Sequence, residues 1–274
     1  MSSPQAKSFD WKNLGIRVAS ATVLVPLALG AVWIGGAAFL VMIAAGVALL
    51  AFEWAVMSAP VSRGRVAWLV ALPVLFAVFL AYHSHGKAAL MAMAGGMVVA
   101  GMTARPLGAR AWDLAPGVFY LAAPAISLIW LRSGPGGMKW TIMLLGTVWI
   151  ADIGAFTVGN MLKGPKLWPR FSPNKTWSGF FGGIAFGALA ALLIARGFDI
   201  RLTLLQALAG GAAAALSTMA GDLLESAVKR QFGVKDSGDL IPGHGGLLDR
   251  VDGLLVAAVV VAIWRWLTDR GLAI

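Results

Sequence analysis

The chain has 274 residues, of which 59% are apolar and 12% charged, with a mean hydropathy of +0.81. That balance excludes an ordinary water-soluble globular protein and puts the chain among integral membrane proteins. The absence of cysteine excludes disulfides, thiolate catalysis and Cys-ligated zinc. The formal charge of +10 suits an anionic lipid surface or a phosphorylated substrate, and nucleic acid is disfavoured because no contiguous soluble basic domain carries the charge.

From Val18 to Phe52 the chain runs for 35 residues without a charge. One helix of that length would measure about 52 Å against about 30 Å of hydrocarbon, so two helices turning at Gly35-Gly36 are expected. The run is too long for the apolar region of a cleavable signal peptide, and no clear small-residue cleavage site follows. Further spans fall at 66–82, 87–104, 114–131, 139–160, 177–195, 202–221 and 253–268, with Arg265 near enough to the end of the last to snorkel. His83 and His85 read as an interfacial turn between two of these spans. The result is an all-α, polytopic integral membrane protein of about nine transmembrane helices. It forms a single membrane domain, in which 1–113 is a helical scaffold and 114–274 supplies the catalytic helices and motif loops.

With the N-terminus in the cytoplasm, fifteen of the 22 Lys and Arg fall on the inner side and seven outside. The polar loops 161–176 and 229–249 then both face the cytoplasm, and their ligand is expected to come from the cytosol.

Asp152 lies inside an apolar span, where an ionised carboxylate costs on the order of 2.5–3.5 kcal/mol, so it is expected to face a polar cavity. Ser172-Pro173-Asn174-Lys175-Thr176 reads as a turn entering the next helix. Its backbone N–H groups suit an anion, and Ser172 or Thr176 equally suits a plain N-cap. Six of the chain's twelve carboxylates then lie between Asp222 and Asp252, with four Lys or Arg. If the span ending near Gly221 continues as a helix, Asp222, Glu225, Ser226, Lys229 and Arg230 share one face. Carboxylates one turn from a basic pair suit a metal beside phosphates, or an interfacial helix end with its own ion pairs. Pro242-Gly243-His244-Gly245-Gly246 breaks the helix and supplies backbone that can approach a ligand closely. Asp249 and Asp252 follow at the start of the last span with Arg250 between them, where matching to the helix dipole alone would also favour carboxylates. Oxygen ligands beside Lys and Arg point to Mg²⁺ holding phosphates.

The stretch Ser226–Asp252 resembles the signature of the phosphatidate cytidylyltransferases (CDP-diacylglycerol synthases). That signature runs S-x-x-K-R, K-D, P-G-H-G-G, D-R-x-D, matched by Ser226/Lys229/Arg230, Lys235/Asp236, Pro242–Gly246 and Asp249/Arg250/Asp252. Gly221-Asp222-Leu223, Glu225-Ser226, Ala151-Asp152, Gly154-Ala155, Ser172-Pro173 and Lys175-Thr176-Trp177 match as well. One departure stands out: the family usually has glutamate after K-T-W, and this chain has Ser178.

The resemblance implies transfer of a cytidylyl group from CTP to phosphatidate, giving CDP-diacylglycerol and pyrophosphate. It implies Asp222 and Asp249 as the principal metal ligands, with Asp152 a lesser one. Mg²⁺ is the expected cation, with room for a second. Lys175, Lys229, Arg230, Lys235 and Arg250 would hold phosphates, with His244, Gly245 and Gly246 near the triphosphate and Ser172 and Ser226 completing substrate binding. A phosphate monoester has a second pKa of about 6, so phosphatidate arrives ionised and His244 is not required as a base. The remaining partners are membrane lipids, with a homodimer left open, and the expected location is a bacterial inner membrane. Rival readings are an archaeal-lipid cytidylyltransferase, a polyisoprenol kinase and an ion-coupled transporter. A transporter would spread functional charges through several mid-membrane positions.

Overall fold

The computed structural model describes residues 11–168, 172–238, 240 and 245–273, with backbone alone at 11–21 and 172–174. Nine α-helices run through the described residues: α1 Trp11–Ile34, α2 Gly36–Ser58, α3 Arg63–Tyr82, α4 Gly86–Thr103, α5 Ala111–Ser133, α6 Gly137–Leu162, α7 Trp177–Gly197, α8 Leu204–Gln231 and α9 Leu248–Asp269. Helices α2 to α9 are each long and apolar enough to cross a membrane, and the apolar part of α1, Thr22–Ile34, is shorter. The chain is a multi-pass membrane protein, as its composition implies.

The first turn falls where two glycines allow it. Gly35 and Gly36 take φ of 68° and 51°, values that a side chain with a Cβ resists. Arg132 then caps α1, donating from Nε to the Val32 carbonyl at 2.6 Å and from Nη2 to the Trp33 carbonyl at 3.2 Å. At the same end, Arg265 departs from the expected snorkelling. It is 3% exposed and donates to the carbonyls of Leu131 at 2.7 Å and Pro135 at 2.5 Å, with Trp130 and Trp140 under its guanidinium. Carbonyls left over at the end of α5 satisfy this cation more cheaply than lipid would.

Two helix groups meet at α5 and α9. In the first, Val66, Val70, Val74 and Val78 form a four-spaced stripe on α3 that is wholly buried, as are Leu114, Val118 and Leu121 on α5. In the second, α6, α7 and α8 approach through small residues. Gly179, Gly183 and Gly187 lie four apart on α7; a Cβ at Gly183 would meet Met219 and one at Gly187 would sit 2.7 Å from the Ala215 Cβ. This is the spacing by which membrane helices bring their backbones together.

At the end of the bundle opposite Arg265, two features depart from an all-helix reading. Lys166–Trp168 (β1) pairs antiparallel with Ser172–Thr176 (β2), with Lys166 opposite Thr176 and Trp168 opposite Ser172. The segment expected as a simple turn is thus one strand of a hairpin. It delivers Thr176 as the N-cap of α7, where its Oγ1 accepts the Gly179 N–H at 3.2 Å. Helix α9 also begins earlier than its apolar residues suggest, at Leu248, because its first turn is capped from elsewhere in the fold.

A packing test follows from the α7 stripe. Gly187→Val should destabilise the protein by about 1–3 kcal/mol, the usual cost of overpacking. Gly197→Ala, where a Cβ would meet nothing within 4 Å, should leave the unfolding temperature in detergent unchanged or slightly raised. Thermal unfolding followed by tryptophan fluorescence separates the two, and equal losses would refute the close-approach argument.

Candidate active site

The polar residues collect where α7, α8 and α9 reach the hairpin end of the bundle. Helix α8 has 28 residues and is about 42 Å long against about 30 Å of hydrocarbon, so its last turns pass beyond the apolar layer. Those turns carry Asp222, Glu225, Ser226, Lys229 and Arg230 on a continuous helix, as their spacing requires. Helix α9 starts beside them, and Gly221 and Gly253 let the two backbones meet: a Cβ at Gly221 would lie 2.5 Å from the Asp252 carbonyl oxygen. Asp222 therefore stands level with Gly253, whose Cβ position is 3.0 Å from Asp222 Oδ1. Asp249 lies about one turn nearer the start of α9, level with Glu225 and Lys229.

Two ion pairs organise this surface. Lys229 Nζ lies 2.8 Å from Glu225 Oε2 and 2.7 Å from Asp249 Oδ1, joining α8 to α9. The Lys229 and Asp249 side chains are 13% and 11% exposed and Glu225 only 2%, so their charges compensate one another away from water. Asp249 has a second duty. Its Oδ2 accepts the backbone N–H of Ser237 at 3.2 Å and of Gly246 at 3.1 Å, tying two points of the connection between α8 and α9. The second ion pair joins Lys175, delivered by β2, to Asp222 Oδ2; here both side chains are about one-third exposed, at 30% and 29%.

Asp152 faces the same region from α6. It is exposed on the helix surface yet within electrostatic reach of Asp222 and Lys175, and Asp252 likewise feels Asp222, Lys175 and Lys229. Asp152 thus faces other charges from within an apolar span, and those charges offset part of its cost in lipid.

The other expected site residues divide by position. Gly245 and Gly246 adjoin Asp249: Gly245 has φ of 87°, and a Cβ at Gly246 would strike Ser237 Oγ. Ser226 is half-buried on α8, and Arg250 is exposed beside Asp249. Arg230 turns away from the carboxylates and donates to the Val234 carbonyl at 3.1 Å, while Lys235 is exposed on the loop beyond it. Ser172 is on β2, and His244 lies outside the described residues. Ser178, the departure from the family pattern, has a local task. Its hydroxyl donates to the Lys163 carbonyl and lies 3.0 Å from Thr176 Oγ1, tying the first turn of α7 to the end of α6.

Three residues of this region were not among the candidates. Glu225, on the recognised polar face, turns out to share Lys229 with Asp249. Tyr120 of α5 has a buried hydroxyl that, like Glu225 Oε1, has no hydrogen-bond partner among the described residues, and it senses Asp222, Glu225 and Asp252. Glu53 of α2 reaches the start of α9. The sequence holds a signal for Glu53, since a single carboxylate closes an uncharged run of 35 residues. Tyr120 had none.

The donor set fits Mg²⁺ in character, being oxygen-only with Lys and Arg nearby. Among the described residues no three His, Asp or Glu side chains form a ready cage. That is compatible with Mg²⁺, which is commonly held by one or two carboxylates and completes its shell with water and substrate phosphates.

Comparison with known proteins gives a consistent result. The family described as the cytidylyltransferase family matches residues 15–268. A phosphatidate cytidylyltransferase of Brucella suis is 41% identical over 270 residues, covering 92% of this chain and 93% of that protein. One from Pseudomonas aeruginosa is 36% identical over 273 residues, covering 93% and 98%.

The two ion pairs should respond differently to mutation. Lys229→Met strands two buried carboxylates against each other and should cost about 3–5 kcal/mol of stability, the range for breaking a buried pair. Lys175→Met removes a partly exposed pair and should cost no more than about 1 kcal/mol. Denaturant unfolding of the two variants measures the difference, and equal costs would show that Lys229 does not organise the α8–α9 junction.

Proposed function

The chain belongs to the cytidylyltransferase family, and from that premise we propose that it transfers the cytidylyl group of CTP to phosphatidate, forming CDP-diacylglycerol and pyrophosphate. What carries the reading is the meeting of Lys175, Asp222, Lys229 and Asp249 from two successive helices and a hairpin at one end of a membrane bundle. There a water-borne nucleotide and a lipid headgroup can both arrive.

The chemistry asks little of a base. An oxygen of the lipid phosphate attacks the α-phosphorus of CTP, and the bond to the bridging oxygen of the β-phosphate breaks as pyrophosphate leaves. The nucleophile is already ionised, so the barrier is chiefly the repulsion between two polyanions and the charge gathering on pyrophosphate. Lys175 and Lys229 are held in place by Asp222 and Asp249 and can turn their ammonium groups to incoming phosphates. Arg250, Arg230 and Lys235 would add attraction from the loop side. Asp222 would hold Mg²⁺, with Asp249 and Asp152 as further oxygen donors. Bound there, the cation would offset the triphosphate charge and stabilise the departing pyrophosphate.

The side of the site at Asp152 would admit the lipid headgroup, while CTP enters past the loop between α8 and α9. The fifteen-to-seven distribution of basic residues supports a cytoplasmic placement of this end, and the bacterial relatives support an inner-membrane location.

CTP labelled at the α- or γ-phosphate decides the reaction class in one assay on purified protein with phosphatidate. Cytidylyl transfer carries the α label into lipid and leaves the γ label in pyrophosphate. A kinase would do the reverse, and a transporter would move neither. Orientation is tested by placing a single cysteine within 161–165, since the chain has none of its own. It should react with an impermeant reagent only from the cytoplasmic side, and labelling of intact cells from outside would overturn the placement.

Asp222 and Asp249 should separate by stability. Asp222→Asn is expected to lower the rate by about 10²–10³ and raise the Mg²⁺ requirement, with little change in unfolding temperature. Asp249→Asn should lose activity to a similar degree and also lose stability, because its amide must turn a donor either toward Lys229 or toward two backbone N–H groups. An unaltered Mg²⁺ titration in Asp222→Asn would remove this residue from the metal assignment.

A further inference from the structure

We propose that Glu53, in the half of the chain that otherwise serves as scaffold, is a positioning residue for the transfer reaction, acting through the loop and helix start that carry Asp249. The proposal rests on the cytidylyltransferase reading of this end of the bundle. Glu53 is 1% exposed near the end of α2, and the residues it holds lie more than 180 positions later. Its Oε1 accepts the Leu247 N–H at 2.7 Å, and its Oε2 accepts the Leu248 N–H at 2.7 Å and the Ser237 hydroxyl at 3.3 Å. Gly246 packs directly on the carboxylate: a Cβ there would lie 2.9 and 3.1 Å from its two oxygens.

The same segment is gripped from its other side by Asp249. Ser237 gives its hydroxyl to Glu53 and its backbone N–H to Asp249. Gly246 lies against Glu53 and gives its N–H to Asp249, whose other oxygen holds Lys229. Two carboxylates thus clamp one loop, and the placement of Asp249 and Lys229 depends on both. Glu53 is itself rigidly mounted. Its neighbour Trp54 donates from Nε1 to the Asp113 carbonyl at 2.9 Å and packs tilted against Tyr120 and edge-on against Phe232. A plain helix cap would need only the two α9 amides. The Ser237 and Gly246 contacts extend the hold to two further points of the connection between α8 and α9.

The test uses purified full-length Glu53→Gln, an isostere that must turn an amide donor toward at least one of the donors the carboxylate accepts. Its kcat/KM for CTP, per folded enzyme, should fall about 10- to 100-fold, the range for one charge-assisted hydrogen bond. Ser237→Ala should fall less, and the two losses combined should be smaller than their product. Thr203→Ala removes the N-cap of α8 at the far end of the bundle and supplies the stability control: it should lower the unfolding temperature yet keep kcat/KM per folded molecule. Independently of activity, amide exchange at Ser237 and in 246–250 should quicken at least tenfold in Glu53→Gln while α6 and α7 keep their protection. Wild-type kcat/KM or unchanged exchange in Glu53→Gln would overturn the proposal, as would an equal loss in Thr203→Ala. If the wild-type protein transferred no cytidylyl group to lipid, the functional reading would fall, and the exchange measurement would still decide the clamp.

Discussion

Lys229 sits between Glu225 of its own helix and Asp249 of the next, and the polar end of the molecule is arranged around that ammonium. Three charges this close and this sheltered are tolerable only as a set, because an unpaired carboxylate at low dielectric costs more than the pairing returns. The pairing requires the end of α8 and the start of α9 to lie side by side. It therefore constrains the loop between them, the glycines at 221 and 253 where the backbones touch, and the position of Asp222 about two turns from Lys229.

The same constraint explains how a bundle with a largely apolar interior carries a phosphate-handling surface. At the hairpin end, acids and bases are paired with one another. Lys175 pairs with Asp222 through the hairpin, Lys229 with two acids, and Asp113 with Arg110 and Gln231. Each lysine is held by a carboxylate rather than by water, so substrate phosphates compete with a preformed partner. At the opposite end the solution is different. Arg132 and Arg265 donate to backbone carbonyls at helix ends, Arg265 also lying 3.5 Å from Asp269, and they serve the fold.

Close backbone approach is the second requirement. The glycine stripe on α7 lets α6, α7 and α8 pack closely, which brings Asp152 of α6 within electrostatic reach of Asp222 on α8. Ser178 contributes at the mouth of this assembly by tying the α7 start to the α6 end, a task that needs a short hydroxyl. An ionised carboxylate at that position would have no proton to give to the Lys163 carbonyl.

The sequence by itself determined the membrane class, the turn at Gly35-Gly36, nearly all the spans and the polar face of α8. These depend on hydropathy, glycine and helical period, which are local properties. The motif residues were legible as a group for the same reason, since they are dense in charge within an apolar chain. Only the tertiary structure decided which charges meet: Lys229 with Asp249, Lys175 with Asp222, and Arg230 away from both. It alone turned Ser172–Thr176 into a strand, because strand pairing depends on a partner segment as much as on the segment itself. It also sank Arg265 among backbone carbonyls instead of letting it snorkel. Glu53 is the clearest case, because its partners are separated from it by most of the chain. No local pattern records a hydrogen bond between the second helix and the start of the ninth, which exists only because packing brings a buried carboxylate to two amides that would otherwise have none.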